Sequence, residues 1–282
     1  MRKVLLFIAA GCLIAGVILF VCVGASVDFD FMKFTSMKFV TNTHEIQKSF
    51  DSISVDTITA DIEFRLAEDG NCHVVCREKE KLTHSVDVED GVLVISATDE
   101  RNLLDHIKGS IFSFGTPSVT IYLPEKHYRS LKVENTTGDV MLCGNWSFDD
   151  LELVTTTGDV KVMDVFCRKD VSVCVTTGKA HLDNLNCKNL TVKGCTGDAV
   201  LKNVIVADTM RVKCTSGDIK LDRCDAGTLY LHATTGDVTG TLLTPKVFSA
   251  SATTGDVDVP DSSSGGRCEI SVTTGDICVK IR

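Results

Sequence analysis

Proline is scarce in this chain, with 4 residues among 282. Net positive charge is absent as well: 29 Lys and Arg stand against 38 Asp and Glu, a formal charge of −9. Nucleic-acid binding needs a basic face, so the balance excludes that partner class. Phosphate loop, nucleophile elbow and paired catalytic carboxylates are all missing. Helical i, i+3, i+4 spacing is missing from residue 131 onward. Long, predominantly apolar runs without a charge are missing too, apart from Val4 to Val23.

What is present is one phrase, Thr-Thr-Gly-Asp plus an apolar residue, written eight times with small changes. Its glycines are Gly138, Gly158, Gly178, Gly197, Gly217, Gly236, Gly255 and Gly275, spaced 19 or 20 residues apart. A fixed period of this length marks a repeat architecture. Seven and five residues before each glycine stand pairs such as Leu151/Leu153 and Val171/Val173. Two and four residues after it stand pairs such as Val160/Val162 and Ile219/Leu221. Both flanks have the period of a strand with one buried face. Each unit therefore reads as strand, tight corner, strand and return segment. One unit cannot bury its apolar face alone, and stacking copies solves this. The expected fold is all-β: a right-handed parallel β-solenoid with ~20-residue coils.

The corner assigns a role to each letter. Glycine takes the positive φ of a tight bend, and the Asp carboxylate accepts from backbone N–H groups that the bend frees. By parity, the Thr or Ser just before glycine (Thr137, Thr157, Thr177, Thr196, Ser216, Thr235, Thr254, Thr274) points inward. The one before it (Thr136, Thr156, Thr176, Thr215, Thr234, Thr253, Thr273) points outward as a flat ladder. The Asp column comprises Asp139, Asp159, Asp198, Asp218, Asp237, Asp256 and Asp276, with Lys179 as a charge break. It reads as corner capping rather than a cation site. A ninth copy lies upstream, Ile53 to Phe64, with Ala60 in the glycine slot. Between it and the first full copy, Val86–Val88, Glu89-Asp90-Gly91 and Val92–Ile95 read as a hairpin. Val119, Ile121 and Leu123 form a strand stopped by Pro124.

Arg2 and Lys3 precede the twenty-residue apolar run, long enough at ~1.5 Å per residue to span a ~30 Å bilayer core. Asp28 and Asp30 follow it, which places the β domain outside. The domain plan is a signal-anchor over 1–25, a linker over 26–45, an N-terminal β cap over 46–130 and solenoid repeats over 131–282. A cleaved signal peptide ending at Val23-Gly24-Ala25 is the alternative for the first segment.

Of 13 cysteines, Cys167 and Cys187 share a frame position one coil apart and form the best disulfide candidate. The others scatter as small apolar residues do, which favours free thiols. Cys72-His73-x-x-Cys76 suggests a metal, but two cysteines four apart on a strand lie ~13 Å from each other, too far for one zinc. Of the seven histidines (44, 73, 84, 106, 127, 181, 232), only His181 and His232 fall within the solenoid repeats, at different frame positions. No catalytic, cofactor or metal residue is assigned. The chain ends at Arg282 directly after its last strand, so an open edge guarded by Lys280 and Arg282 is expected there. That edge suits a partner or a second copy, and Ile107 to Phe114 is the other candidate contact.

These features resemble a bacterial family of domains of unknown function labelled "putative adhesin". The resemblance rests on the Thr-Thr-Gly-Asp-Val repeat, on Ser-Val-Asp-Thr-Ile-Thr-Ala-Asp-Ile-Glu-Phe at 54–64 and on Val-Thr-Ile-Tyr-Leu-Pro at 119–124. It covers residues 46–282. It implies a membrane-anchored, non-enzymatic surface protein of the kind found in gut Firmicutes, with a protein or glycan partner. Regulatory partnership in envelope-stress signalling is the alternative. A carbohydrate-active β-helix enzyme is a further one, which the scattered histidines disfavour.

Overall fold

The computed structural model describes residues 39–79, 82–99 and 116–282, together with seven helical residues: Gly11, Leu13, Ile14, Gly16, Val17, Ile18 and Val21. Among the described residues no helix is long and apolar enough to cross a membrane. Apart from those seven residues, the anchor expected over 1–25 lies outside the described residues, as does the apolar stretch 107–114.

Residues 39–99 and 116–282 form one unit, and its described elements are all β. The first nine strands are β1 (Phe39–Ile46), β2 (Ser52–Thr59), β3 (Asp61–Leu66), β4 (Cys72–Lys79), β5 (Leu82–Glu89), β6 (Val92–Asp99), β7 (Ser118–Leu123), β8 (His127–Thr137) and β9 (Val140–Thr157). Ten follow: β10 (Val160–Cys167), β11 (Asp170–Thr177), β12 (Ala180–Thr196), β13 (Ala199–Ser216), β14 (Ile219–Thr235), β15 (Val238–Leu242), β16 (Lys246–Thr254), β17 (Val257–Asp258), β18 (Gly266–Thr274) and β19 (Ile277–Ile281). From β8 onward every ladder is parallel and joins equivalent positions of different repeats, as in Val171↔Leu151 and Leu190↔Met210. The fold is solenoid-like, and the apolar pairs of the repeat fill one continuous core, except at the outermost coil, where Val257 is exposed.

At the corners, the repeat glycines all have positive φ, between 125° and 143°. Positive φ is only half the requirement. A Cβ built on Gly178 would overlap the carbonyl oxygen of Gly158, one coil away. Around this contact the backbone bonds run from coil to coil: Gly178 N donates to Thr196 O at 2.9 Å, and Ala180 N to Asp198 O at 3.0 Å. The aspartates cap as the sequence suggests, but across coils. Asp159 N donates to Asp139 Oδ1 at 2.8 Å, and Lys179 N to Asp159 Oδ1 at 2.8 Å. Lys179 offers no carboxylate in turn, and the ladder resumes where Asp218 N donates to Asp198 Oδ1. The N–H of Asp237, then Lys220, hold the Asp218 carboxyl below its ordinary value. Its contribution to stability is therefore full above the ordinary carboxylate pKa and is lost as pH falls through the lowered one.

Parity fails at one position. The Thr or Ser before each repeat glycine is exposed, not inward. The bend begins there and turns its side chain out beside its predecessor, so two hydroxyl columns run side by side on the surface. The inward site is three residues before the glycine. At the lower end it is polar: Thr57 Oγ1 donates to Asn135 Oδ1 at 2.9 Å, and Asn135 Nδ2 to Ala60 O at 2.9 Å. Higher coils place Val175, Cys214, Ala233 and Val272 at that site.

The two ends depart furthest from expectation. Below, β2 and β3 form the expected ninth coil, with Asp139 N donating to Asp61 Oδ1. The coil beneath it is split between β6 and β7. Antiparallel β5 extends one side, and antiparallel β4 and β1 the other. Asp90 and Gly91, with φ of 48° and 77°, make the expected hairpin turn. Residues 39–45, assigned to the linker, belong to β1 because they complete the edge of β4.

At the other end the coils are out of sequence order. β14 pairs with β18, and β18 with β16. The Gly275 coil thus lies between those of Gly236 and Gly255: Asp276 N donates to Asp237 Oδ1, and Asp256 N to Asp276 Oδ1. The expected open edge at Arg282 is accordingly replaced. β19 pairs with β15 along its length and with β17 at Ile277 and Cys278. The outermost strands at this end are β16 and β17, each paired on one side only, and residues 259–265 carry the chain across.

All eleven described cysteines are free, seven of them buried and one, Cys195, exposed. The Gly178→Ala variant should lose about 3 kcal/mol or more in urea denaturation, from strained φ and steric overlap together. Asp159→Ala should cost about 1 kcal/mol, because the Lys179 amide loses its acceptor. Lys179→Ala should stay within about 0.5 kcal/mol. In the native protein a thiol reagent should modify Cys195 first and reach the seven buried thiols only on unfolding, read by mass spectrometry.

Candidate functional site

A second corner follows each of the first five repeat glycines, Gly138 to Gly217, by six residues. Gly144, Asp164, Asn184, Asn203 and Arg223 all have positive φ there. Asn and Asp tolerate this conformation, and their side chains bond locally. Asn184 Nδ2 donates to Asp164 Oδ1 at 2.6 Å, and Arg223 Nε to Asn203 Oδ1 at 2.7 Å. Beyond this corner the chain forms a third side of these coils, where the repeat frame predicts only a return segment.

The outward residues of this side stack as His127, Ser147, Phe166, Asn186, Ile205 and Asp225. Phe166 is 51% exposed and Ile205 37%. Shallow depressions flank Phe166. One, of about 490 Å³, is bordered by Arg168, Lys188 and Ile205. The other, of about 270 Å³, is bordered by Asn145, Asp164 and Asn184. An apolar ring thus stands among amides and charges on a rigid sheet.

Beside it lies a relay. Asp149 Oδ1 is 3.0 Å from His127 Nε2, and Ser147 Oγ is 2.8 Å from Nδ1. With Nε2–H donating to the carboxylate, Nδ1 accepts from the serine hydroxyl. Serine, base and orienting acid are therefore assembled, but the neighbouring backbone donors are committed. Arg168 N donates to Phe148 O and Lys169 N to Asp149 O. An oxyanion needs such donors free. The signal for this group was the shared frame position of His127 and Ser147, each eleven residues before a repeat glycine.

Cys167 and Cys187 lie buried beneath this side as neighbours in register, and both are thiols. Burial, then the neighbouring Cys167, pushes the Cys187 thiol up to about 12, and burial pushes Cys167 to about 11. Neither is a nucleophile at neutral pH. Cys72 and Cys76 are buried on one face of β4, as expected. His73 faces the other way, stacked on Tyr122 with centroids 4.3 Å apart.

Comparison with solved structures gives matches along most of the chain. One from Bacteroides fragilis, described as a putative adhesin, matches 88% of this chain and 99% of its own at 16% identity, with a TM-score of 0.52. A putative adhesin from Parabacteroides merdae is 15% identical over 88% of this chain and 97% of its own, with a TM-score of 0.44. A putative lipid binding protein from Parabacteroides distasonis is 13% identical over 86% of this chain and 96% of its own, with a TM-score of 0.43. At these identities the first shows the shared fold alone, and the other two carry no argument. No curated protein matches the sequence. The family model Toastrack DUF4097 matches residues 50–282, and the chain belongs to that family.

Proposed function

We propose that this chain is a non-enzymatic, single-pass membrane protein whose β-solenoid, wound right-handed, stands outside the cytoplasm. There it holds an envelope or cell-surface glycan against the face centred on Phe166. The observation that carries the reading is the half-exposed Phe166 ring, set between depressions bordered by Asn184, Asp164 and Arg168. A sugar has an apolar face and a rim of hydroxyls. An aromatic ring supplies contact area for the first, and fixed amides and charges orient the second.

The anchor rests on the charge-free run Val4–Val23 between Arg2/Lys3 and Asp28/Asp30. The non-enzymatic reading rests on the committed amides beside Ser147 and on the raised thiols. The description of the Bacteroides fragilis neighbour as a putative adhesin agrees with it.

In detergent, the full chain should bind a subset of a glycan array. Phe166→Ala should weaken that binding about tenfold or more with the melting temperature unchanged. Silence across the array, or binding indifferent to Phe166→Ala, contradicts the reading. The full chain should resist alkaline extraction from membranes, and deletion of residues 1–25 should release it.

A further inference from the structure

Between β4 and β5, at the base of the solenoid, three metal-ligating side chains meet away from the Phe166 face. Cys76 Sγ, a Glu78 carboxylate oxygen and a His84 ring nitrogen lie within 4.8 Å of one another, and all three residues are buried. The two strands pair only at Lys79↔Leu82. The start of the hairpin therefore holds the group together.

The carboxylate is firmly held. Glu78 Oε2 accepts from the His84 backbone N–H at 2.7 Å and faces His84 Nδ1 at 2.9 Å. Glu78 Oε1 accepts from Asn42 Nδ2 at 2.5 Å. Asn42 comes from β1, directly opposite Cys76. His84 Nδ1 and Glu78 Oε2 therefore face each other as candidate ligand atoms, and the His84 backbone N–H and the Asn42 amide hold the carboxylate in place. The other ring nitrogen of His84, Nε2, is buried without a hydrogen-bond partner among the described residues. The side chains of His84 and Glu78 are each 1% exposed.

We propose that Cys76, Glu78 and His84 bind a borderline divalent cation, zinc first, which clamps β4 to β5 and closes the lower end of the solenoid. Thiolate, imidazole and carboxylate form a donor set that suits zinc. Ligand atoms around a tetrahedral zinc are ~3–4 Å apart, as Zn–N and Zn–O near 2.0 Å and Zn–S near 2.3 Å require. To close around zinc the three ligand atoms therefore draw together from separations of up to 4.8 Å. The charges also balance: one thiolate, one carboxylate and one neutral imidazole cancel a dication, leaving no net charge in the core. Burial, with Glu78 as the second cause, pushes the free Cys76 thiol up to about 12. The metal-free thiol is therefore protonated, and binding must release that proton to solvent. Cys72, buried on the same face of β4, lies outside this group and serves as control.

The test uses the full chain, untagged, in detergent and stripped of metal. Cobalt(II) titration should give one equivalent bound per chain, with a thiolate-to-cobalt charge-transfer band and tetrahedral visible bands that zinc abolishes. Zinc should raise the melting temperature by several degrees and release one thiol proton per ion in weak buffer. Cys76→Ser, close in volume, should keep the strand signature in circular dichroism and lose the charge-transfer band and the zinc-dependent melting shift. Glu78→Gln should weaken cobalt tenfold or more. Cys72→Ser should leave the band intact. Absence of a charge-transfer band in the folded wild-type chain, or its survival in Cys76→Ser, overturns the proposal.

Discussion

The structure depends on one close approach: each repeat glycine faces the carbonyl oxygen of its counterpart one coil away. No side chain fits between them. This contact sets the coil spacing at the corner and brings the amide of one coil to the carboxylate of the next. It also turns both threonines outward. The apolar pairs then fall into register without further instruction, because strands on either side of a fixed corner have nowhere else to point. Hydrophobic burial supplies the driving force, and the glycine column supplies the alignment.

Because the column is nearly uniform, it aligns coils without naming their neighbours. Any Thr-Thr-Gly-Asp corner fits any other. Order along the rod is left to the connections. Between β17 and β18 the chain spends residues 259–265, among them Pro260, three serines and Gly265, on a crossing that lets the last repeat enter beneath the one before it. The terminal strand, exposed in a sequential stack, is thereby paired on both sides at Ile277 and Cys278. The edge passes to β16 and β17, and the outward Val247 of β16 is 43% exposed.

Much of the coil was legible in the sequence for the same reason that the order was not. Glycine, aspartate and the period-2 pairs each answer to local backbone geometry, so the corner, the two long strands and the degenerate copy at Ala60 could be read directly. The spacing from Gly255 to Gly275 remains 20 residues despite the crossing, so periodicity carries no trace of the exchange. The second corner was illegible because its column mixes Gly, Asp, Asn and Arg, which share a backbone conformation rather than a residue type. The faces that carry chemistry were harder still. The relay of Ser147, His127 and Asp149 spans two coils, and the group of Cys76, Glu78 and His84 spans a hairpin. Neither has a spacing that marks a known site. The two proposed sites thus lie where the repeat varies, on the third side and at the lower end, and the uniform corner provides the scaffold.

Amide hydrogen exchange of the native chain tests the stacking account most directly. β18, together with Ile277 and Cys278, should be protected as strongly as β14, while β16 exchanges faster as an outermost strand. Exchange of β18 and β19 ahead of β16 would mean that the repeats stack in sequence order, and the account would fail.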